Sequence, residues 1–251
     1  VAIIPPARSG DRFISVYRTL IRLETEHGSV SSVEAAFERA VHACPNNWRL
    51  LSDWAVVLAS NGVVDRARSI FFEACEIAGS LHAEPYRLYA LHEMSQGDFA
   101  SARQILLKGA LEMSKTGDGG LGGLTGMPEL FHTWAICEWT TGRSMRRVEL
   151  LLDTSLRLVQ PGPEGSELRA YVLFTLARLQ FALGENILAE HCLSLCLHEN
   201  TMPSGNERVW KLWAVLAEAR GDSYFAERCV DEIERLHARD DITMNYAKFV
   251  R

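Results

Sequence analysis

LSDWAVVLASNGVVDRARSIFFEA, residues 51–74, is two short apolar stripes hinged on one glycine, Gly62. Before the glycine, Leu51, Trp54, Ala55 and Leu58 recur at offsets of three, four and seven, the spacing that gathers side chains on one face of a helix. After it, Ala67, Phe71 and Ala74 repeat that spacing on a second helix. Glycine suits the junction because it takes the left-handed conformation that stops a helix at no steric cost. The stretch is a helical hairpin whose apolar faces need neighbours to bury them.

The neighbours are copies of the hairpin, centred on Gly28, Gly97, Gly142, Gly184 and Gly221. Eleven residues before the six glycines stand Tyr17, Leu51, Tyr86, Phe131, Leu173 and Trp210. Eight before them stand Leu20, Trp54, Tyr89, Trp134, Leu176 and Trp213. Seven before come Ile21 and then Ala55, Ala90, Ala135, Ala177 and Ala214, small enough for a neighbouring helix to approach closely. Nine residues after the glycine, large apolar residues return at Phe37, Phe71, Leu106, Leu193 and Val230. The fourth copy fits only when shifted by one residue, to Val148, Leu152 and Ser155, which predicts a one-residue insertion in its turn.

The glycines are 34, 35, 45, 42 and 37 residues apart. Periods of this size belong to stacked helix pairs, in which adjacent copies complete one another's core. The expected fold is all-α, a right-handed α-solenoid of about six antiparallel pairs in a single array over 11–238. Its copies fall at about 11–45, 46–79, 84–115, 128–159, 167–200 and 206–238. Two insertions lengthen the period. The first is a glycine-rich loop at 116–127, and the second is the Pro- and Gly-rich stretch Gln160 to Ser166. Residues 239–251 read as a tail or the start of a further helix.

Composition excludes several classes. The chain is 47% apolar and 23% charged, typical of a folded protein. A formal charge of −6 supplies no global field for nucleic acid, so DNA is not expected and any RNA contact must come from a local patch. No apolar run approaches the ~20 residues needed to span a bilayer. The chain does not begin with methionine and reads as a fragment or a processed product, so its flanks could carry a targeting signal and further copies. Its six cysteines include no CxxC, which favours a reducing intracellular compartment. Cys192 and Cys196, beside His191 and His198, could be drawn as a metal site, but their spacing on one helix fits buried packing better. The glycine-rich loop lacks the lysine ending of a phosphate-binding loop and follows a helix. No catalytic motif is present, and no enzyme, cofactor or metal is expected.

The pattern of a large residue, a second large residue three on, a small one, a turn glycine and A-x3-F-x2-A resembles a tetratricopeptide repeat. It resembles the half-a-TPR (HAT) variety further in Glu24, Glu93 and Glu138, four before their glycines, and in Ala36-Phe37-Glu38-Arg39-Ala40. The other copies carry Leu58, Gln180 and Ala217 at that place. The resemblance implies a non-catalytic scaffold in RNA processing or transcript stability, in the plastid or nucleus. The stretches around Trp134 to Trp139 and Val209 to Leu216 look most like the chloroplast RNA-stability members. A general adaptor for protein or peptide partners is the alternative, with self-association left open.

In such a scaffold the first helix of each pair lines the ligand groove. The residues facing away from the core columns form a ladder of Arg18, Arg22, Arg49, Arg87, Arg178, Arg208 and Lys211, accompanied by His132. Trp139, Tyr171, Phe174 and Phe181 add aromatic faces, on which bases stack with ~1–3 kcal/mol each. The ladder suits single-stranded RNA or an acidic peptide; the same charges also make an ordinary solvated helix face, paired with Glu84, Glu129 and Glu218.

Overall fold

A computed structural model describes residues 6–115, 126–160, 162–199 and 203–249. Most of the glycine-rich loop, 116–125, lies outside the described residues. The described residues form twelve helices and no strand: α1 (Pro6–His27), α2 (Val30–Ala43), α3 (Trp48–Ser60), α4 (Val64–Ala78), α5 (Glu84–Ser95), α6 (Phe99–Ser114), α7 (Met127–Thr140), α8 (Met145–Leu158), α9 (Pro163–Ala182), α10 (Asn186–Glu199), α11 (Pro203–Ala219) and α12 (Ser223–Phe249). This is the helix-pair architecture of an α-solenoid. The second insertion is partly helical, since α9 opens at Pro163, where proline's fixed φ suits a first helical turn. Residues expected as a tail continue α12 to Phe249.

Five of the six turn glycines, Gly62, Gly97, Gly142, Gly184 and Gly221, have φ between 64° and 80°. At each, the next residue's N–H reaches back to the carbonyl four before the glycine, at 2.8–3.2 Å: Val63 to Leu58, Asp98 to Glu93, Arg143 to Glu138, Glu185 to Gln180, Asp222 to Ala217. That bond satisfies a carbonyl the helix end would leave unpaired. Gly28 differs. Its φ is not left-handed, and an added Cβ would stand 2.6 Å from the Glu24 carbonyl oxygen, so close approach rather than handedness demands glycine there. In the fourth pair α8 starts three residues after Gly142, one later than elsewhere, and buries Val148, Leu152 and Ser155. The shifted register is the one the fold adopts.

The chain divides into two compact units, Val1–Thr133 and Trp134–Arg251, with the division inside α7. In the first unit α1 packs on α2, α3 on α4 and α5 on α6, while α4 and α3 both pack on α5. Its core holds Phe37, Leu51, Ala55, Leu58, Ala67 and Phe71. Successive pairs there join by one contact made twice. Phe37 stacks on Trp54 of the next pair at 6.1 Å, and Phe71 on Tyr89 at 5.5 Å. Burying each such side chain contributes about 1.5–3 kcal/mol. In the second unit α8 packs on α9, α9 on α10 and α11, and α11 on α12. Its core gathers Leu173, Ala177, Leu193, Cys196 and Leu216. Val230, expected in the core, is exposed instead.

Candidate partner-binding faces

In the third and fourth pairs the position four before the turn glycine buries a carboxylate, Glu93 and Glu138. Glu93 is only 2% exposed and receives two 2.8 Å hydrogen bonds from Arg68, Nε to Oε1 and a terminal nitrogen to Oε2. Arg68 lies on α4, the second helix of the preceding pair. Glu138 is fully buried, accepts a 3.0 Å bond from Trp134 Nε1, and has Arg147 Nε at 3.6 Å. Gln180 is buried and donates to Glu149 of α8 at 3.0 Å. Arg68 stands six residues after Gly62, and Glu149 stands at the same place once the one-residue insertion is allowed. For Glu93 and Gln180, a residue on one pair's second helix thus holds the polar group on the next pair's first helix, whereas Trp134 and Arg147 belong to the same pair as Glu138. The sequence displayed the glutamates; their partners were visible only as a charged residue at a fixed offset.

The ladder residues fall on the first helices as expected, but the structure surrounds most of them with partners. In the first unit, Arg18 is 3.2 Å from Asp53 Oδ2 on α3, and Arg22 is exposed. Arg49 lies 5.0 Å over the Trp48 ring, whose other neighbour is His82 at 4.9 Å between centroids. Arg87 grips Glu84 with two bonds of 2.6 and 2.9 Å. His132 is partly buried near Arg87, and burial first, then that charge, lower its pKa to about 4, so it is neutral near pH 7. In the second unit, Arg178 lies 5.2 Å over Trp139, and Tyr171, on the same helix as Arg178, is exposed. Phe174 and Phe181 are half-buried and pack against the core. Arg208 is exposed. Lys211 is 2.5 Å from Glu207, whose carboxylate it holds below the usual range, with His237 adding to the effect.

Of the ladder cations, Arg18, Arg87 and Lys211 stand beside carboxylates, Arg49 and Arg178 lie over indole rings, and Arg22 and Arg208 are exposed. All six cysteines are free thiols, five of them buried, and burial pushes Cys196 up to about 12. Among the described residues no group of three His, Cys, Asp or Glu is placed to hold a metal. No helix there is long and apolar enough to cross a membrane.

No protein-family model matches the chain, and no curated protein matches it in sequence. Solved structures do match. The fold is similar to that of pilF from Pseudomonas aeruginosa, with a TM-score of 0.61 and 18% identity over 92% of this chain and 95% of that one. It is similar to BtubC from P. vanneervenii, with a TM-score of 0.65 and 17% identity over 93% and 92% of the two chains. A tetratricopeptide repeat protein from Parabacteroides merdae aligns at a TM-score of 0.51 and 15% identity over 92% and 80%. These likenesses show a helical-repeat fold, shared with a tetratricopeptide repeat protein among others. At such identities the likeness is one of fold.

Proposed function

We propose that the chain is a non-catalytic scaffold that holds partner proteins on the first-helix faces of its pairs. One observation carries this reading: Arg18, Arg87 and Lys211 each stand beside a carboxylate, Asp53, Glu84 and Glu207, so these faces present both signs of charge. A strand of phosphates draws its affinity from cations free to replace counterions. Cations interleaved with carboxylates and aromatic rings suit the mixed charge of a polypeptide, where Arg and aromatic residues serve as anchors. The acidic total works in the same direction. The Trp139, Tyr171 and Arg178 face of the second unit is the proposed centre of recognition.

The RNA-processing reading draws its support from the buried Glu93 and Glu138, which match the HAT resemblance, and from exposed Arg22 and Arg208. Nothing beyond that resemblance favours the plastid or nucleus. Affinity capture with the wild-type chain and with Tyr171→Ala/Arg178→Glu tests the protein reading. A specific partner recovered by the first and lost by the second supports it. Equal recovery by both would remove this face from the account.

A further inference from the structure

The second helices of the first unit carry a feature that the first-helix faces do not explain. Among α4, α5 and α6 lies a cavity of about 260 Å³, lined by Phe72, Tyr86, Tyr89, Gln104, Ile105 and Lys108. Pockets that take whole small ligands run from about 300 to 1,000 Å³, so this one fits a single side chain. Two of its walls are fixed. The Tyr86 hydroxyl donates to the Cys75 carbonyl at 3.1 Å, with the Gly79 carbonyl a second acceptor within reach at 3.3 Å. Its ring lies against Gly109, where an added Cβ would come within 2.8 Å. Tyr89 is held by its stack on Phe71. Cys75, also in the lining, is a neutral apolar surface near pH 7, since burial pushes its thiol up to about 12.

The mouth is different in character. Phe72 is 54% exposed, far more than an aromatic ring in a repeat core, and Lys108 Nζ lies 5.2 Å over its ring. The Lys108 ammonium is paired with Glu76 at 2.7 Å, but both side chains are about half exposed, so solvent screens the pair and it exchanges readily. Among the described residues the Tyr89 hydroxyl and the Gln104 amide make no hydrogen bond. Aromatic walls, two unused polar groups and an exchangeable cation therefore converge on a slot one ring in size.

We propose that this cavity is an anchor pocket for one aromatic side chain of a partner peptide, whose neighbouring acidic residue takes Lys108 from Glu76. The site is separate from the first-helix faces and stands or falls independently of them. It acts as anchor pockets do, by taking one face of an aromatic residue out of water in a preformed slot.

The test is a nitrogen–proton NMR titration of the whole chain with three blocked dipeptides: acetyl-Phe-Glu-amide, acetyl-Phe-Lys-amide and acetyl-Ala-Glu-amide. The first should give saturable shifts at the Phe72, Gln104, Ile105 and Lys108 amides. The second should bind up to about 5-fold more weakly, the size of one half-exposed ion pair. The third should give none. Gln104→Trp, at an exposed position that blocks the mouth, should abolish the response. Lys108→Met should erase the preference for glutamate, and Arg178→Glu should leave all of it intact. No saturable shift in the wild-type chain, an equal response to the alanine peptide, or an unchanged response in Gln104→Trp would overturn the proposal.

Discussion

Replacing Arg68 with methionine strands the Glu93 carboxylate inside the fold. In the native chain that carboxylate is almost wholly buried and takes both 2.8 Å bonds from one guanidinium, a charge-assisted bidentate pair. Removing one partner of a buried ion pair costs about 3–5 kcal/mol, because the remaining charge loses its counter-charge and cannot reach water. Arg68 itself is 38% exposed, so solvent already reaches one side of the pair and the lower end applies, about 3 kcal/mol. At about 2–4 °C per kcal/mol for a chain of this size, the melting temperature should fall by roughly 6 to 12 °C. The same column contains its own control. In the second pair Leu58 fills this position, fully buried and without a charge. Arg68→Met/Glu93→Leu should therefore recover to within about 1 kcal/mol of the wild type, since a well-packed apolar pair replaces a buried ionic one at little cost. Circular dichroism melts of the three proteins give the comparison. A single-variant loss below about 1 kcal/mol, no more than an exposed pair is worth, would refute the assignment. So would a double variant less stable than the single one.

Further outcomes follow from the same structure. Burial, and next Arg87, lower His132 to about 4 in the folded chain, while the unfolded imidazole titrates near its ordinary value of about 6.5. Between those values the unfolded state binds more protons, so stability falls as pH drops through that window, by up to about 3 kcal/mol. His132→Phe, which copies Phe174 of the next pair, should flatten the fall in urea midpoints taken at pH 7 and at about pH 5. Gly109→Ala should cost about 1–3 kcal/mol in urea titration although alanine favours helix, because its Cβ would press on Tyr86. Leu152→Ala should lose about 2–5 kcal/mol while Leu150→Ala, on the exposed side of α8, changes stability by no more than about 0.5. Equal losses for that pair would contradict the shifted register of the fourth pair.

Much of the architecture was legible because glycine and apolar periodicity act locally. A helix must stop where Gly62 or Gly97 takes a positive φ, and Phe71 or Leu193 must turn inward wherever the next copy lies. Even the extra turn residue after Gly142 showed as a one-step slip of Val148 and Leu152. Gly28 shows the limit: its role is a close approach to Glu24 and Ser32, which a sequence cannot display. Helix ends were the weaker part, since Pro163 and the residues after Ala238 continue helices without an apolar column to announce them. The candidate faces were less legible still. Position on the helix placed Arg18 and Lys211 outside the core, but Asp53, 35 residues from Arg18, and Glu207, one turn before Lys211, decide whether those cations are free. Phe174 and Phe181 had the composition of stacking residues and turned out to brace the core, because a half-buried ring and a free one look alike in a sequence.

The central claim is that the mixed-charge ladder holds polypeptide rather than phosphate, and a salt titration of single-stranded RNA binding tests it most directly. If the carboxylates Asp53, Glu84 and Glu207 beside Arg18, Arg87 and Lys211 disfavour a phosphate strand, filter binding should show no retention that falls steeply with salt, and Arg87→Glu should change nothing. RNA retained at low salt, with a logarithmic slope of about −0.7 per phosphate contacted and a shallower slope after Arg87→Glu, would contradict the account.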